Sequence, residues 1–191
     1  MDDFPFSEAR FLFRMSPQLS TLVHGFKYRH LRWHISFLME YLRYRPDLLA
    51  FLRNYDGLVP VPIHPIRRRE RGYNQAEVIA GELSRLSGLP VLAESLHRSR
   101  STLSQTKLDR HARSQNLDEA FSCQDPEPLL GKRLLLVDDV FTTGATASQS
   151  SALLLRSGCV SVGVFALAKV EASSADDDLG LEMEAVSGYL V

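Results

Sequence analysis

The residues whose types and spacing are best suited to chemistry stand in one run. Four apolar residues, Leu134 to Val137, lead straight into Asp138-Asp139, then Val140-Phe141, then Thr142-Thr143-Gly144-Ala145-Thr146. The apolar stretch predicts a buried parallel strand, Arg133–Val137, that delivers the acidic pair at its carboxyl end, where open α/β sheets bind ligands. Gly144 permits a tight turn with φ > 0, and the backbone N–H groups of such a turn make a concave anion site. The dipole of the following helix and the hydroxyls of Thr142, Thr143 and Thr146 add to it. A phosphate is therefore held beside two carboxylates that repel it, an arrangement that makes sense if the acids hold sugar hydroxyls or a metal. An ordinary P-loop ATPase would need GxxxxGK[ST], which the chain lacks. The acidic pair of a receiver domain would leave Thr-Thr-Gly-Ala-Thr unexplained, and a plain helix cap needs fewer oxygens than two carboxylates and three hydroxyls.

Alternating strands and helices must carry this run. Leu58–Val61 reads as a short buried strand, Asn74–Leu86 as a helix closed by Gly88, and Val91–Leu92 as the start of another strand. Ala145–Ser157 is predicted to be a helix ending at Gly158, and Ser161–Ala168 a strand. The pattern is that of a parallel α/β sheet covered on both faces. Upstream, Ser16 and Pro17 open a helix with Leu19, Leu22, Val23 and Phe26 on one face. Helical patterns follow over 31–44 and 46–53, so the first third reads as helical with no strand, and residues 1–15 as weakly anchored. Three regions result: an N-terminal helical hood over 1–56, an α/β core over 57–170, and an acidic tail over 171–191.

Four further clusters carry polar or aromatic chemistry. Arg67, Arg68, Arg69 and Arg71 precede Gly72 and a helix start, and four arginines in five positions cannot all face one ligand. His97–Asn116 is polar and basic, the start of it reading as an exposed loop. His30 and His34 stand at a zinc-compatible spacing without a nearby third ligand, which favours a surface or core pair. Phe26, Tyr28 and Trp33 read as core rather than as a base-stacking platform.

The string Val137 to Thr146 resembles the phosphoribosyl-pyrophosphate signature of type I phosphoribosyltransferases. Pro60-Val61-Pro62, Arg67–Arg71 and Gly72-Tyr73-Asn74-Gln75, with Leu22–Tyr28 and the spaced Arg98, Gln105, Leu108, Arg113, Asn116 and Phe121, are similar to the narrower ComF/GntX (ComFC-like) group, which includes competence proteins. The resemblance spans about Met15 to Val170. It implies that Asp138 and Asp139 grip the ribose hydroxyls and that Thr142, Thr143, Gly144, Ala145 and Thr146 cradle the 5′-phosphate. Arg71, Gly72 and Asn74 are then the expected pyrophosphate contacts. Lys107 and Arg113 become catalytic cations of a loop that closes over pyrophosphate, with Mg²⁺ held mainly through the ligand near Asp138 and Asp139. The implied activity is of the glycosyltransferase class: binding of 5-phosphoribosyl-1-pyrophosphate and transfer of phosphoribose to an acceptor. The alternative is a non-catalytic competence or DNA-uptake protein that binds the same ligand and acts on single-stranded DNA or competence-machinery proteins. Some purine enzymes place an aspartate base where Thr142 stands; a threonine hydroxyl cannot serve as that base at neutral pH. Many members also carry an N-terminal zinc ribbon with four cysteines. This sequence has none of those cysteines, so it starts after that module or belongs to a shortened branch.

Composition bounds the rest. The 191 residues are 45% hydrophobic and 24% charged, as in ordinary globular proteins. No apolar run is long enough for a membrane span and no signal peptide is visible. Two distant cysteines predict reduced thiols and a cytoplasmic home. The net charge of −1 hides an asymmetry: six acids and no Lys or Arg lie from Glu171 onward, leaving 22 basic against 17 acidic residues, a net +5, in the body. Such a body attracts phosphate-rich ligands, although a solvated acidic tail on a mildly basic domain has the same composition.

Overall fold

A computed structural model describes residues 4–25, 32–98 and 121–171. Its elements run β1 (Ala9–Arg14), α1 (Pro17–Gly25), α2 (Arg32–Met39), a 3-10 helix (Glu40–Tyr44), α3 (Pro46–Leu52), β2 (Gly57–Pro60), α4 (Pro65–Arg71) and α5 (Gln75–Ser87). Then come β3 (His97–Arg98), β4 (Phe121–Ser122), a 3-10 turn (Glu127–Leu129), β5 (Arg133–Phe141), α6 (Ala145–Arg156) and β6 (Ser161–Lys169).

The main sheet has the order β1-β6-β5-β2, and every pairing in it is parallel. Val91 extends it beyond β2 through a parallel bridge to Leu58. This is the expected α/β sheet. The expected second strand at Val91–Leu92 is thus reduced to a bridge. From β2 the chain passes through α4 and α5 to Val91 on one side, and from β5 through α6 to β6 on the other. Adjacent strands whose connections leave in opposite directions create a crevice at their carboxyl ends.

Period-two alternation sorts the strand residues onto two faces. Leu135, Val137, Phe165, Leu167 and Leu12 join one core cluster with Ile35, Met39, Leu42, Leu52, Ile79 and Leu83 from the helices. Leu134, Leu136, Val162, Val164 and Phe11 join the other with Ala147 and Leu154 of α6. Leu135 is fully buried, and its truncation to Ala would cost about 2–5 kcal/mol.

Two corrections concern the first third. Residues 9–14 are an edge strand, with Ala9 opposite Val164 and Phe13 opposite Ala168, so this stretch belongs to the sheet rather than to a helical region without strands. Residues just before it are anchored too: Phe4 stacks on Phe6 at 4.8 Å, and Phe6 meets Phe141 edge-on at 6.3 Å. The helices of 32–52 share the core cluster of α5 on one sheet face, which makes them one of the covering layers. In α1 the Ser16 cap forms, its hydroxyl accepting from Leu19 N at 3.1 Å, and Leu19 is buried while Leu22 stays exposed.

Candidate functional site

β5 is longer than its apolar core suggests. It continues through Asp138 and Asp139 to Phe141 because β6 keeps pairing with it: Asp138 lies opposite Ala166 and Phe141 opposite Lys169. β2 stops earlier, with Pro60 opposite Val137 and Val61 N donating to Val137 O at 2.8 Å. The acidic pair therefore stands on a ledge of three strands, β5, β6 and β1, past the end of β2. Alternation puts Asp138 on the α6 side, with Leu134 and Leu136, and Asp139 on the α5 side.

Both carboxylates are tied to the backbone. Asp138 Oδ1 accepts from Asp139 N, and Asp139 Oδ1 accepts from Val140 N, each at 2.8 Å. Burial holds the Asp138 carboxyl well above the usual carboxylate range, and the charge of Asp139 adds to the effect. Arg98 opposes it.

The turn after β5 has the predicted geometry. Gly144 is the N-cap of α6 with φ 78° and ψ 0°. A Cβ there would stand 2.9 Å from Phe141 Cζ and 3.1 Å from Phe4 Cε1, so sterics and backbone conformation both require glycine. No side chain caps the helix at Gly144; Thr143 Oγ1 accepts from Ala145 N only at a long 3.4 Å. Thr142, Thr143 and Ala145 are exposed and Thr146 is half-buried. The positive end of the α6 dipole and its first N–H groups therefore lie open next to the acids.

Across the crevice, the arginine run forms the short helix α4. His64 Nδ1 accepts from Ile66 N at 3.3 Å, Pro65 takes the first position, and Gly72 closes α4 with φ 79°. The packing then sorts the arginines. Arg68 pairs with Glu77, and Arg71 Nη1 donates to Gln75 Oε1 at 3.2 Å. Arg67 and Arg69 have no ion pair among the described residues. Asn74, only 1% exposed, is committed to the fold: its Nδ2 donates to Val61 O at 2.9 Å and its Oδ1 accepts from Ala76 N at 3.1 Å. Of the expected pyrophosphate contacts, Arg71 is thus engaged by Gln75, Gly72 caps α4, and Asn74 joins the end of β2 to α5.

Arg98 is the cation that sequence reasoning underweighted. It pairs with Phe121 across the β3–β4 ladder, and its guanidinium lies over the Phe121 ring at 5.4 Å. Burial lowers its pKa, the like charge of Arg67 lowers it further, and Asp138 partly compensates. Arg98 is thus near enough to feel the charge of Asp138, and Arg67 is near enough to feel that of Arg98. The signal was present in the sequence, since Arg98 belongs to the matched family spacing. Lys107 and Arg113, with Gln105, Leu108 and Asn116, lie outside the described residues, as do His30, Phe26 and Tyr28.

Among the described residues no cluster of three or more His, Cys, Asp or Glu is arranged to hold a metal ion. His34 is half-buried and stacks on Trp33 at 3.7 Å. Trp33, expected in the core, is 62% exposed. Cys123 and Cys159 are free, and burial pushes the Cys159 thiol up to about 11. No helix among the described residues is long and apolar enough to cross a membrane.

No family model matches the chain. It is 35% identical over 155 residues to competence protein F of Haemophilus influenzae, covering 79% of this chain and 68% of that protein. It is 34% identical over 160 residues to DNA utilization protein YhgH of Escherichia coli, covering 81% and 68%. Competence protein ComFC of Bacillus subtilis is 32% identical over 112 residues, covering 58% and 43%. Among solved structures, a purine phosphoribosyltransferase from Pyrococcus horikoshii aligns at TM-score 0.40 and 15% identity, over 78% of this chain and 94% of that one. Glutamine phosphoribosylpyrophosphate amidotransferase from B. subtilis aligns at 0.43 and 20%, over 59% and 22%.

Proposed function

This chain belongs to the family of competence protein F and the DNA utilization protein YhgH, and from that premise and the site geometry we propose that it binds 5-phosphoribosyl-1-pyrophosphate with Mg²⁺ and transfers phosphoribose to an acceptor. The observation that carries this reading is one strand-to-helix turn that joins two adjacent carboxylates to a positive-φ glycine at an open helix N-terminus. In this reading the N–H groups after Gly144 and the hydroxyls of Thr142, Thr143 and Thr146 take the 5′-phosphate. Asp138 and Asp139 accept hydrogen bonds from the ribose hydroxyls. Arg67 and Arg98 take the pyrophosphate, while Arg71, Gly72 and Asn74 position the helix that carries Arg67.

Hard carboxylate oxygens suit Mg²⁺, which would sit near Asp138 and Asp139, bound mainly through the ligand, and would neutralise the diphosphate. Transfer breaks the bond from the anomeric carbon to pyrophosphate oxygen, and the electron pair leaves with pyrophosphate. The acceptor supplies a lone pair to that carbon and loses a proton. Cations held against the leaving oxygens stabilise the charge that develops there.

The second reading is a binder that acts on single-stranded DNA, favoured by the relatives named for DNA utilization and by the exposed Arg67 and Arg69, which have no ion pair among the described residues. One paired measurement separates the two: pyrophosphate release over a panel of bases, amines and DNA fragments, and single-strand affinity against salt, for wild type and for Lys107→Ala and Arg113→Ala. An enzyme loses turnover more than substrate affinity in these variants. A DNA binder loses about one unit of log–log salt slope per removed phosphate contact. Pyrophosphate release no higher than in the Asp138→Asn, Asp139→Asn double variant, with every acceptor, would end the transferase reading.

A further inference from the structure

Two rings lie against the glycine of the strand-to-helix turn. A Cβ on Gly144 would stand 2.9 Å from Phe141 Cζ and 3.1 Å from Phe4 Cε1. Phe141 belongs to the same run of sequence, but Phe4 comes from the far end of the chain. Ser7 N donates to Val162 O at 2.8 Å, and the chain bends over residues 5–7. Phe6 and Phe4 thereby reach Phe141 and Gly144, at and past the carboxyl end of β5. Phe4 stacks on Phe6 at 4.8 Å, Phe6 meets Phe141 edge-on at 6.3 Å, and Phe141 meets Phe11 at 5.1 Å. Phe6, Phe11 and Phe141 are buried, and Phe4 is the half-buried end of the row.

Polar side chains do little to hold this turn. No side chain caps α6 at Gly144, and the bond from Ala145 N to Thr143 Oγ1 is long at 3.4 Å. Glycine has the widest backbone freedom of any residue, so a turn built on it populates several conformations unless packing selects one. Only the conformation in which the N–H groups converge takes an anion, and apparent affinity falls in proportion to the fraction of molecules that hold it. Rings packed on Gly144 restrict the turn and leave Thr142, Thr143 and Ala145 exposed.

We infer that Phe4 is a positioning residue for the anion-binding turn: backed by Phe6, it packs on Gly144 and holds the turn in the conformation that takes a phosphate monoester. This rests on the phosphate reading of the turn proposed above. Phe4 acts through Gly144 and not on the ligand, and the segment 4–8 becomes part of the binding machinery. The coupling is reciprocal. Whatever factor the packing of Phe4 adds to phosphate affinity, bound phosphate adds to the stability of that packing.

The experiment has two arms, both on the full chain with ribose 5-phosphate as the probe. The first is calorimetry of wild type, Phe4→Ala and Phe4→Leu, under conditions where urea titration shows each protein folded. Phe4→Ala should bind about fivefold more weakly or worse, and Phe4→Leu, which keeps an apolar side chain over Gly144, should recover most of the loss. The second arm needs no variant and stands if Phe4→Ala does not fold. The Ser7 amide, bonded to Val162 O, exchanges when the segment 4–8 lifts, so saturating wild type with the probe should slow its hydrogen exchange by about the same factor. Amides of α3, which packs in the cluster on the other sheet face, should not follow. Equal affinity of wild type and Phe4→Ala overturns the inference while leaving the phosphate reading in place. Exchange at Ser7 that ignores the probe, or that slows only as much as in α3, overturns it as well. A wild type that binds no ribose 5-phosphate overturns the phosphate reading, and this inference falls with it.

Discussion

Gly72 and Gly144 have almost the same backbone conformation, φ 79° and φ 78°, and stand on either side of the same crevice. Gly144 opens the twelve-residue α6, so the positive end of a helix and its unsatisfied N–H groups face the ligand space. Gly72 closes the seven-residue α4, and the end it marks is the negative one. On the β5 side anion attraction is therefore built into the backbone, and the nearby side chains need only hydroxyls. On the β2 side Gly72 marks the end of one helix, and the start of α5 follows at Gln75 under its Asn74 cap. The arginines of α4, three of them in its last turn, add side-chain charge beside this second helix start. The backbone cradle is specified by one glycine and fixed by packing under it. The arginine side is a choice among four similar residues that their neighbours resolve, with Arg68 paired to Glu77, Arg71 bonded to Gln75, and the charge of Arg67 felt by Arg98.

Substituting the two glycines should show the asymmetry at its largest. Gly144→Val meets Phe141 Cζ at 2.9 Å and also carries the cost of positive φ. The combined penalty should be about 2–5 kcal/mol of stability, with 5′-phosphate binding lost in whatever protein still folds. Gly72→Ala carries the cost of positive φ, about 1–2 kcal/mol, and should keep 5′-phosphate binding. Urea denaturation and calorimetry with a nucleoside monophosphate measure both quantities. Equal losses at the two positions would remove the distinction.

On the arginine side, Arg67→Gln should weaken pyrophosphate-bearing ligands by roughly tenfold, the worth of one charge-assisted hydrogen bond. Arg71→Gln should change that affinity far less, because Arg71 is engaged by Gln75. The affinity for ribose 5-phosphate should be unaffected by either change. If Arg71→Gln proves the more damaging for pyrophosphate, the sorting of the α4 arginines is reversed.

Much of this contrast was readable in the sequence, but unevenly. The acid pair, the Gly144 turn, the Ser16 cap and the Gly88 stop are local signals, and local geometry realises them. β1 was hidden because its partner, β6, lies about 150 residues downstream and because Arg10 and Arg14 break its apolar run. α4 has no buried residue and hence no apolar periodicity, yet Pro65 at its start and Gly72 after its end are the usual proline-to-glycine brackets of a helix. The extension of β5 past Val137 could not be read locally either. It depends on β6 running equally far, and an acidic pair looks like the end of a strand when its neighbour is unknown.

The acids test a subtler side of the comparison, since burial and a neighbouring carboxylate both disfavour a charge on Asp138. Asp138 has its carboxyl raised well above 3.8, by burial first and by Asp139 second. Between 3.8 and that raised value the folded protein keeps a proton that the unfolded chain has released, so stability falls as pH rises through this window. Asp138→Asn has no such proton and can still accept from Asp139 N. Its advantage over wild type should be greatest above the window and should fade towards pH 3.8. Parallel stability curves for the two proteins would mean that the ledge is not strained by charge.

The smallest effect is expected at Thr143, where the backbone cradle and its side-chain supplement can be told apart. Its hydroxyl accepts from Ala145 N at 3.4 Å, a long bond on an exposed residue, so Thr143→Ala should lower stability by no more than about 0.5 kcal/mol. With a phosphate present the same hydroxyl can rotate to donate to a phosphate oxygen, a bond worth roughly 0.5–1.5 kcal/mol. The variant should therefore lose about two- to tenfold in 5′-phosphate affinity while its unfolding midpoint hardly moves. Thr143→Ser keeps the hydroxyl and should restore the affinity. This split between a binding loss and an unchanged midpoint is what a ligand contact produces, and a helix cap would produce the reverse. If Thr143→Ala loses stability and keeps its affinity, the hydroxyl serves the start of α6 alone, and the phosphate cradle on this side is made of backbone only.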